Sequence, residues 1–361
     1  MRKKVVVGMS GGVDSAVAAY LLKEQGYEVI GITMQIWNED ASRAEENGGC
    51  CGLSAVEDAR RVADTLSIPH YVMNFKQEFQ DKVVNYFISE YLSGRTPNPC
   101  IACNRYVKWE SLLRRGMEIG ADYIATGHYA RVERLENGRY AVRSSITAKK
   151  DQTYALYNLT QFQLSHTLMP VGEYTKEEIR NFAKINKLPV ADKPDSQDIC
   201  FVPGGDYGGF IADAVPDRTP GPGNFLSEEG KILGVHKGII HYTIGQRKGL
   251  GLSMGHPVFV SELRPDTNEV VVSDRDVYFT GLTCNQIQFM GMESMEKPVR
   301  LLAKVRYAHQ GQWCRAYQTK EDEIHVDFEQ PVRAVTPGQA VVFYDGEYVM
   351  GGGTILRAER G

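Results

Sequence analysis

The sequence lacks any apolar run approaching the roughly 18 residues needed to cross a bilayer. It also lacks an internal repeat and a low-complexity tract. With 42% apolar and 24% charged residues, disorder, collagen and coiled coil are excluded. The opening Met1-Arg2-Lys3-Lys4 followed by Val5-Val6-Val7 imitates a secretory signal, but Asp14 ends the apolar run too soon and no small-residue cleavage pattern follows. Cysteine is sparse and odd in number, seven in 361 residues, which argues against a disulfide framework and predicts a cytoplasmic protein in a reducing compartment. Strong net charge is missing too. Forty-one Lys and Arg against 45 Asp and Glu leave −4, so nucleic acid must be held by local patches rather than a global field. One such patch is residues 231–261, where Lys231, Lys237, Arg247, Lys248, His236, His241 and His256 occur without one Asp or Glu.

What is present is organised. The length suggests two or three domains, at roughly 150 residues each. Lys4 to Met9, Val29 to Met34, His70 to Phe75 and Tyr123 to Thr126 read as buried strands. Ser15 to Gln25, Ser54 to Leu66 (capped by Ser54 with Glu57), Glu78 to Ser93 and Lys108 to Ile119 read as helices. This alternation predicts an α/β fold with a doubly wound parallel sheet that binds ligands at the carboxyl ends of its strands. Asn137-Gly138 predicts a hairpin of Arg131 to Leu135 with Arg139 to Ser144 that leaves the sheet. A helix follows at Lys176 to Ile185, then an irregular stretch from Pro189 to Gly209 and a Pro/Gly-rich linker from Pro216 to Gly223. Beyond it, short strand-like runs at Val258 to Ser261, Glu269 to Ser273, Leu301 to Tyr307, Ile324 to Phe328 and Gln339 to Tyr344 carry almost no helical periodicity. The expected division is a catalytic domain over 1–215, a small central domain over 216–280 and a β-barrel over 281–361.

The first strand feeds Ser10-Gly11-Gly12-Val13-Asp14-Ser15, which a helix follows at once. Paired glycines bring backbone N–H groups close to an anion, and the helix N-terminus adds partial positive charge. No Gly-Lys-Ser/Thr ends the loop, so it is not a Walker A motif, and no Gly-x-Gly-x-x-Gly makes it a dinucleotide fingerprint. S-G-G-x-D-S in this place resembles the PP-loop of the ATP pyrophosphatases, which cleave ATP to AMP and pyrophosphate, usually by adenylating a carbonyl oxygen.

Cys100-Ile101-Ala102-Cys103, Cys200 in Asp195-Ser196-Gln197-Asp198-Ile199-Cys200-Phe201, and Cys50-Cys51 stand out. A thiolate needs its free pKa of about 8.5 lowered by positive charge or a helix N-terminus. Arg105 and Lys108 follow Cys103 at an expected helix start and offer both. A lone Cys-x-x-Cys is otherwise half of a zinc site, and the adjacent Cys50-Cys51 pair would complete a tetrahedron poorly. Cys284 and Cys314 read as packing residues.

Taken in order, Gly8-Met9-Ser10-Gly11-Gly12-Val13-Asp14-Ser15, Arg95-Thr96-Pro97-Asn98-Pro99, Ala125-Thr126-Gly127-His128-Tyr129, Lys150-Asp151-Gln152-Thr153-Tyr154, Asp195-Ser196 with Ile199-Cys200-Phe201, Tyr242-Thr243-Ile244-Gly245-Gln246-Arg247-Lys248-Gly249-Leu250-Gly251, and Val335-Thr336-Pro337-Gly338-Gln339 resemble the tRNA-specific 2-thiouridylase family nearly end to end. The resemblance implies a PP-loop domain, a small central domain and a tRNA-contacting C-terminal barrel. It implies that ATP adenylates the carbon-2 oxygen of the wobble uridine and that sulfur then displaces AMP. Gly8, Met9, Ser10, Gly11, Gly12, Val13, Asp14, Ser15, Met34 and Gly127 would hold ATP, with Asp14 near its Mg2+. Cys200 would carry sulfur as a persulfide from an upstream sulfur-donor protein. Cys103 would attack that persulfide or resolve the resulting Cys103–Cys200 disulfide. The target base must leave its stack, at a cost of a few kcal/mol that is smaller in an anticodon loop than in a duplex. Asn98, Pro99, Cys100, His128, Lys150, Asp151, Gln152, Arg306, Tyr307 and Gln339 align with family tRNA contacts.

Cys100 departs from the pattern, since many members have Asp there with an acid/base role. Three thiols, Cys100, Cys103 and Cys200, also suit an alternative in which a [4Fe-4S] cluster holds a labile sulfur. Another PP-loop adenylating ligase would need no cysteine pair, and a noncatalytic RNA-binding protein would release no pyrophosphate.

Overall fold

The computed structural model describes residues 2–36, 53–195 and 199–360. Cys50-Cys51 and Ser196 to Asp198 lie outside them. The strands at the start of the chain are β1 (Lys4–Gly8), β2 (Glu28–Gln35), β3 (His70–Asn74) and β4 (Tyr123–Ala125), followed by a hairpin of β5 (Ala130–Arg134) and β6 (Tyr140–Ser144), then β7 (Thr167–Leu168). The main helices are α1 (Val13–Glu24), α2 (Leu53–Leu66), α3 (residues 76–92), α4 (residues 99–118), α5 (Gln161–Ser165), α6 (Lys176–Ile185) and α7 (Tyr207–Ala214).

A parallel sheet of order β3-β2-β1-β4-β7 forms the first layer. Period-two alternation along β1 builds two cores from one strand. Val5 and Val7 join Val17, Val62, Ile179 and Ala183 from α1, α2 and α6 on one face. Val6 joins Phe79, Phe87, Trp109 and Leu112 from α3 and α4 on the other. The sheet is therefore doubly wound, as the alternation predicts. Strand order reverses between β1 and β4, and the crevice at their carboxyl ends is where such sheets bind ligands. The Ser10 to Ser15 turn and the Thr126 to Tyr129 segment leave the sheet there.

Four helices start earlier than expected, α1 at Val13 and α3 at Lys76 by two residues each. α2 begins at Leu53, so Ser54 sits inside the first turn instead of capping it. α4 begins at Pro99, nine residues before Lys108, because the Asn98 side chain accepts hydrogen bonds from the N–H groups of Cys100 (3.1 Å) and Ile101 (3.4 Å) and Pro99 takes the first helical position. From Cys103 to Leu112 α4 winds as a π-helix. α6 matches its expected range, with Thr175 and Glu178 as its capping box.

A middle sheet of order β10-β11-β8-β9 comprises β8 (Gly223–Leu226), β9 (Ile232–His236), β10 (Phe259–Arg264) and β11 (Glu269–Ser273). Then β12 (Tyr278–Phe289), β13 (Val299–Lys304), β14 (Gln312–Lys320), β15 (Glu323–Arg333), β16 (Ala340–Asp345) and β17 (Tyr348–Glu359) close into a six-stranded antiparallel barrel in which β17 pairs back onto β12. Cys284 and Cys314 fill its interior, where burial pushes the Cys314 thiol up to about 12. The β5–β6 hairpin indeed leaves the parallel sheet, and it extends the barrel sheet through β6 and β17. The run Gly351-Gly352-Gly353 imitates a turn, yet it lies within β17. A Cβ on Gly352 would stand 2.5 Å from the Tyr157 ring and 2.6 Å from Val341 O, so close backbone approach requires glycine there.

All three parts meet at Thr96. Its N–H donates to Pro337 O (2.9 Å), its hydroxyl lies 2.6 Å from that of Thr243, and its carbonyl accepts from Gln339 Nε2 (2.9 Å). Gly338 permits this approach: its φ is +89°, and a Cβ there would lie 2.9 Å from both Arg95 Cβ and Thr96 N. Gly338→Ala is expected to destabilise the protein by about 1–3 kcal/mol through strain and this clash, measurable by denaturant unfolding.

Candidate functional site

The phosphate loop is braced from within. Ser10 N–H donates to Ser15 Oγ (3.2 Å), and Ser15 Oγ donates to Gly12 O (3.1 Å). Gly12 caps α1 in extended conformation, whereas Gly11 turns at φ +68° against the Ala55 carbonyl, where a side chain would clash. Met9 is pinned by its N–H to Ile32 O (2.8 Å) and by Thr33 Oγ1, which donates to Met9 O (2.9 Å). Val13 is buried, Gly8 ends β1, and Met34 stands half-buried near the end of β2, opposite Met73. Gly127 closes the crevice from the β4 side. A Cβ there would sit 2.6 Å from Asp14 C and Ser15 N, so the two loops touch backbone to backbone.

Asp14 is the loop's link to the rest of the site. Its Oδ1 accepts from Tyr129 OH (2.8 Å) and pairs with Lys176 Nζ (2.6 Å). Lys176 also reaches Asp195 Oδ1 (2.8 Å), which Arg180 joins at 3.2 Å, while Lys150 holds Asp195 Oδ2 at 2.7 Å. Burial alone would raise the Asp195 carboxyl, but hydrogen bonds and charge from Lys150 and Lys176 outweigh it and bring it down to about 2. Beside the loop, Lys193 Nζ donates to Gly11 O (3.1 Å) and pairs with Asp58 (2.7 Å). Lys176, Arg180, Lys193, Asp58 and Tyr129 carry no assignment from the sequence. A signal existed for two of them: Lys176 and Arg180 are like charges one helical turn apart, unfavourable unless an anion sits between them.

Asn98 and Pro99 build the first turn of α4, which presents Cys100, exposed, and Cys103, half-buried. Further along α4, Lys108 donates to Asn104 Oδ1 (2.9 Å) and reaches His128 Nε2 (3.4 Å). Because an ammonium only donates, Nε2 accepts and Nδ1 carries the proton toward Thr126 Oγ1 (2.7 Å). Burial, then the Lys108 charge, holds the His128 imidazole well below its ordinary value, so it is neutral. Arg105 lies over the Tyr106 ring. Cys200 is half-buried next to Phe201, whose ring packs edge-on against Phe79 and Phe87 of α3. Among the described residues no three His, Cys, Asp or Glu side chains are grouped to hold a metal ion.

The barrel reaches this site through Tyr307, half exposed and edge-on to Tyr154 at 6.3 Å. Burial, then Asp151, raises its phenol above the ordinary value, and the Lys150 charge and the Cys100 thiol act on it as well. Several expected tRNA contacts are engaged internally. Asp151 accepts from Ser145 N–H and Thr153 Oγ1, and Gln152 Oε1 from Tyr129 N–H. Arg306 donates to Arg333 O (2.8 Å), and Gln339 holds Thr96. The basic stretch 231–261 loses part of its expected charge. His236 is buried and accepts from Gly238 N–H, and His256 pairs with Asp274, while Lys231, Lys237, Arg247 and Lys248 stay exposed.

A phosphate loop at the switch point of a parallel sheet, carried with a middle sheet and a closed barrel, defines a PP-loop enzyme. Residues 3–204 match the family described as tRNA methyl transferase HUP domain, 208–274 its PRC-barrel domain and 279–355 an aminomethyltransferase beta-barrel domain. The tRNA-specific 2-thiouridylase MnmA of Lachnoclostridium phytofermentans is 64% identical over 357 residues, covering 98% of this chain and 100% of that one. The Clostridium perfringens protein of the same name is 54% identical over 355 residues, 98% of each chain, and that of Clostridioides difficile 51% over 360 residues, 99% of each. The chain belongs to the tRNA-specific 2-thiouridylase MnmA family and is an enzyme.

Asp195 ionises below its ordinary value in the folded state, so its contribution to stability is present above pH 3.8 and is lost as the pH falls toward about 2. The stability gap between the wild type and Asp195→Asn, read by urea unfolding, is expected to be flat from neutral pH down to about pH 3.8 and to close as the pH falls from there toward about 2.

Proposed function

We propose that this enzyme converts the wobble uridine of tRNA to 2-thiouridine by adenylation followed by sulfur transfer. The observation that carries this reading is the unbroken polar chain from the phosphate loop through Asp14, Lys176 and Asp195 to Lys150, which ends beside Tyr307 and the cysteine-bearing turn of α4. A nucleotide-activating loop and reactive thiols share one face of the molecule in this reading.

In the first step the uridine carbon-2 oxygen attacks the α-phosphorus of ATP, and pyrophosphate leaves with the electron pair of the broken P–O bond. In the second, the terminal sulfur of a Cys200 persulfide attacks carbon 2 and AMP departs with its oxygen. Cys103 then attacks the Cys200 sulfur, which releases the thiolated base and leaves a Cys103–Cys200 disulfide for an external thiol to reduce. An upstream sulfur-donor protein reloads Cys200, and thiol chemistry of this kind suits the cytoplasm. Asp14 is the carboxylate that would hold Mg2+, an ion that commonly takes one or two carboxylates plus substrate phosphates. Asn98, Pro99, Lys150, Tyr307 and the exposed Lys231, Lys237, Arg247 and Lys248 supply polar, aromatic and cationic surface for the anticodon loop and its phosphates. Residues 1–215 serve as the catalytic domain in this reading, 216–280 as the central domain and 281–361 as the tRNA-contacting barrel.

Cys103→Ser and Cys200→Ser are each expected to abolish 2-thiouridine, by mass spectrometry of the anticodon nucleosides, while tRNA-dependent pyrophosphate release continues. Full thiolation in both variants would refute the thiol steps, and absence of pyrophosphate release from the wild type would refute adenylation.

A further inference from the structure

The loop from Ser10 to Ser15 contains no lysine or arginine. Its N–H groups and the α1 terminus offer only partial charges to an anion. A leaving pyrophosphate accumulates full negative charge, and preorganised cations are the usual means of stabilising it. The structure brings two lysines to the loop from far along the chain. Lys176 Nζ is 2.6 Å from Asp14 Oδ1, with its side chain only 14% exposed, and Lys193 Nζ is 3.1 Å from Gly11 O.

Both lysines are held in place by other residues. Lys176 opens α6, whose first turn is fixed by the Thr175 and Glu178 capping box. Arg180 donates to the carbonyls of Ala191 and Lys193, each at 3.3 Å, which anchors the segment that carries Lys193. Among the described residues the ion pairs around the loop join five cations, Arg61, Lys150, Lys176, Arg180 and Lys193, to three carboxylates, Asp14, Asp58 and Asp195. This surplus of positive charge, in a chain of net charge −4, is more than a purely structural salt-bridge cluster needs.

We propose that Lys176 and Lys193 are the cations that bind the β- and γ-phosphates of ATP and stabilise the departing pyrophosphate, with Asp14, Asp195 and Asp58 holding them at the loop beforehand. The inference rests on the adenylation reading above. The uridine oxygen forms its bond to the α-phosphorus, the bond to the β-phosphate oxygen breaks, and the electron pair that goes with pyrophosphate is met by the two ammonium groups, which transfer no proton.

The test is equilibrium binding of ATP and of AMP, by calorimetry without tRNA, to the wild type, Lys176→Met, Lys193→Met and Lys176→Arg. A charge-assisted hydrogen bond to phosphate is worth roughly tenfold or more in affinity. Each Met variant is expected to lose at least about tenfold for ATP while AMP binding stays within about twofold, and Lys176→Arg is expected to retain most ATP affinity. Equal loss for ATP and AMP, or no loss for either, would assign the lysines to scaffolding and overturn the proposal. Lys193→Met decides alone if Lys176→Met does not fold. Wild-type protein that thiolates tRNA yet shows an unchanged ATP-to-AMP ratio in the variants defeats only this inference, whereas wild-type protein that binds no ATP defeats the adenylation reading with it.

Discussion

Asp14 and Lys176 lie 162 residues apart in the chain and 2.6 Å apart in space, and much of the site's architecture follows from that pair. A carboxylate at the head of a phosphate-binding turn opposes the anion the turn is built to receive unless a cation accompanies it. Lys176 supplies the cation, Asp195 shares it, and Lys150 and Arg180 complete the set. Partly exposed pairs of this kind contribute modestly to stability one by one. Their value lies in geometry, because the network fixes the distance between the nucleotide loop and the segment that leads to Cys200.

A second constraint comes from the junction at Thr96. The turn that presents Cys100 and Cys103 is short, and its first four residues are held by Asn98 capping and Pro99. The barrel end at Pro337 to Gln339 and the central region at Thr243 clamp the residues just before it. Gln339 therefore has a physical role independent of RNA. Tyr307 reaches toward the site from the barrel. Half exposed and edge-on to Tyr154, it offers an aromatic face of the type that stacks unpaired bases.

Local rules explain why much of this could be read in advance. Val5-Val6-Val7 followed by Ser10-Gly11-Gly12 specifies strand, turn and helix through β-branched stiffness and glycine freedom alone. Thr175 with Glu178 specifies a helix start, and Asn137-Gly138 a hairpin. The misreadings came where tertiary contacts override such rules. Ser54 with Glu57 reads as a cap, although α2 already begins at Leu53. Lys108 reads as a helix start, although the helix begins at Pro99, capped by Asn98.

The chain by itself determined the strand–turn–helix that can cradle phosphate, the parallel sheet around it, the largely β character beyond the Pro216 to Gly223 segment and the cysteines available for chemistry, because each depends on neighbours within a few residues. Only the tertiary structure decided which cations reach the loop, that a hairpin from the first half extends the barrel sheet, and that Asp151, Gln152 and Gln339 hold backbone groups of the chain itself. Those outcomes depend on which distant groups can approach within 3 Å once two cores and a barrel have packed, and no local pattern encodes that.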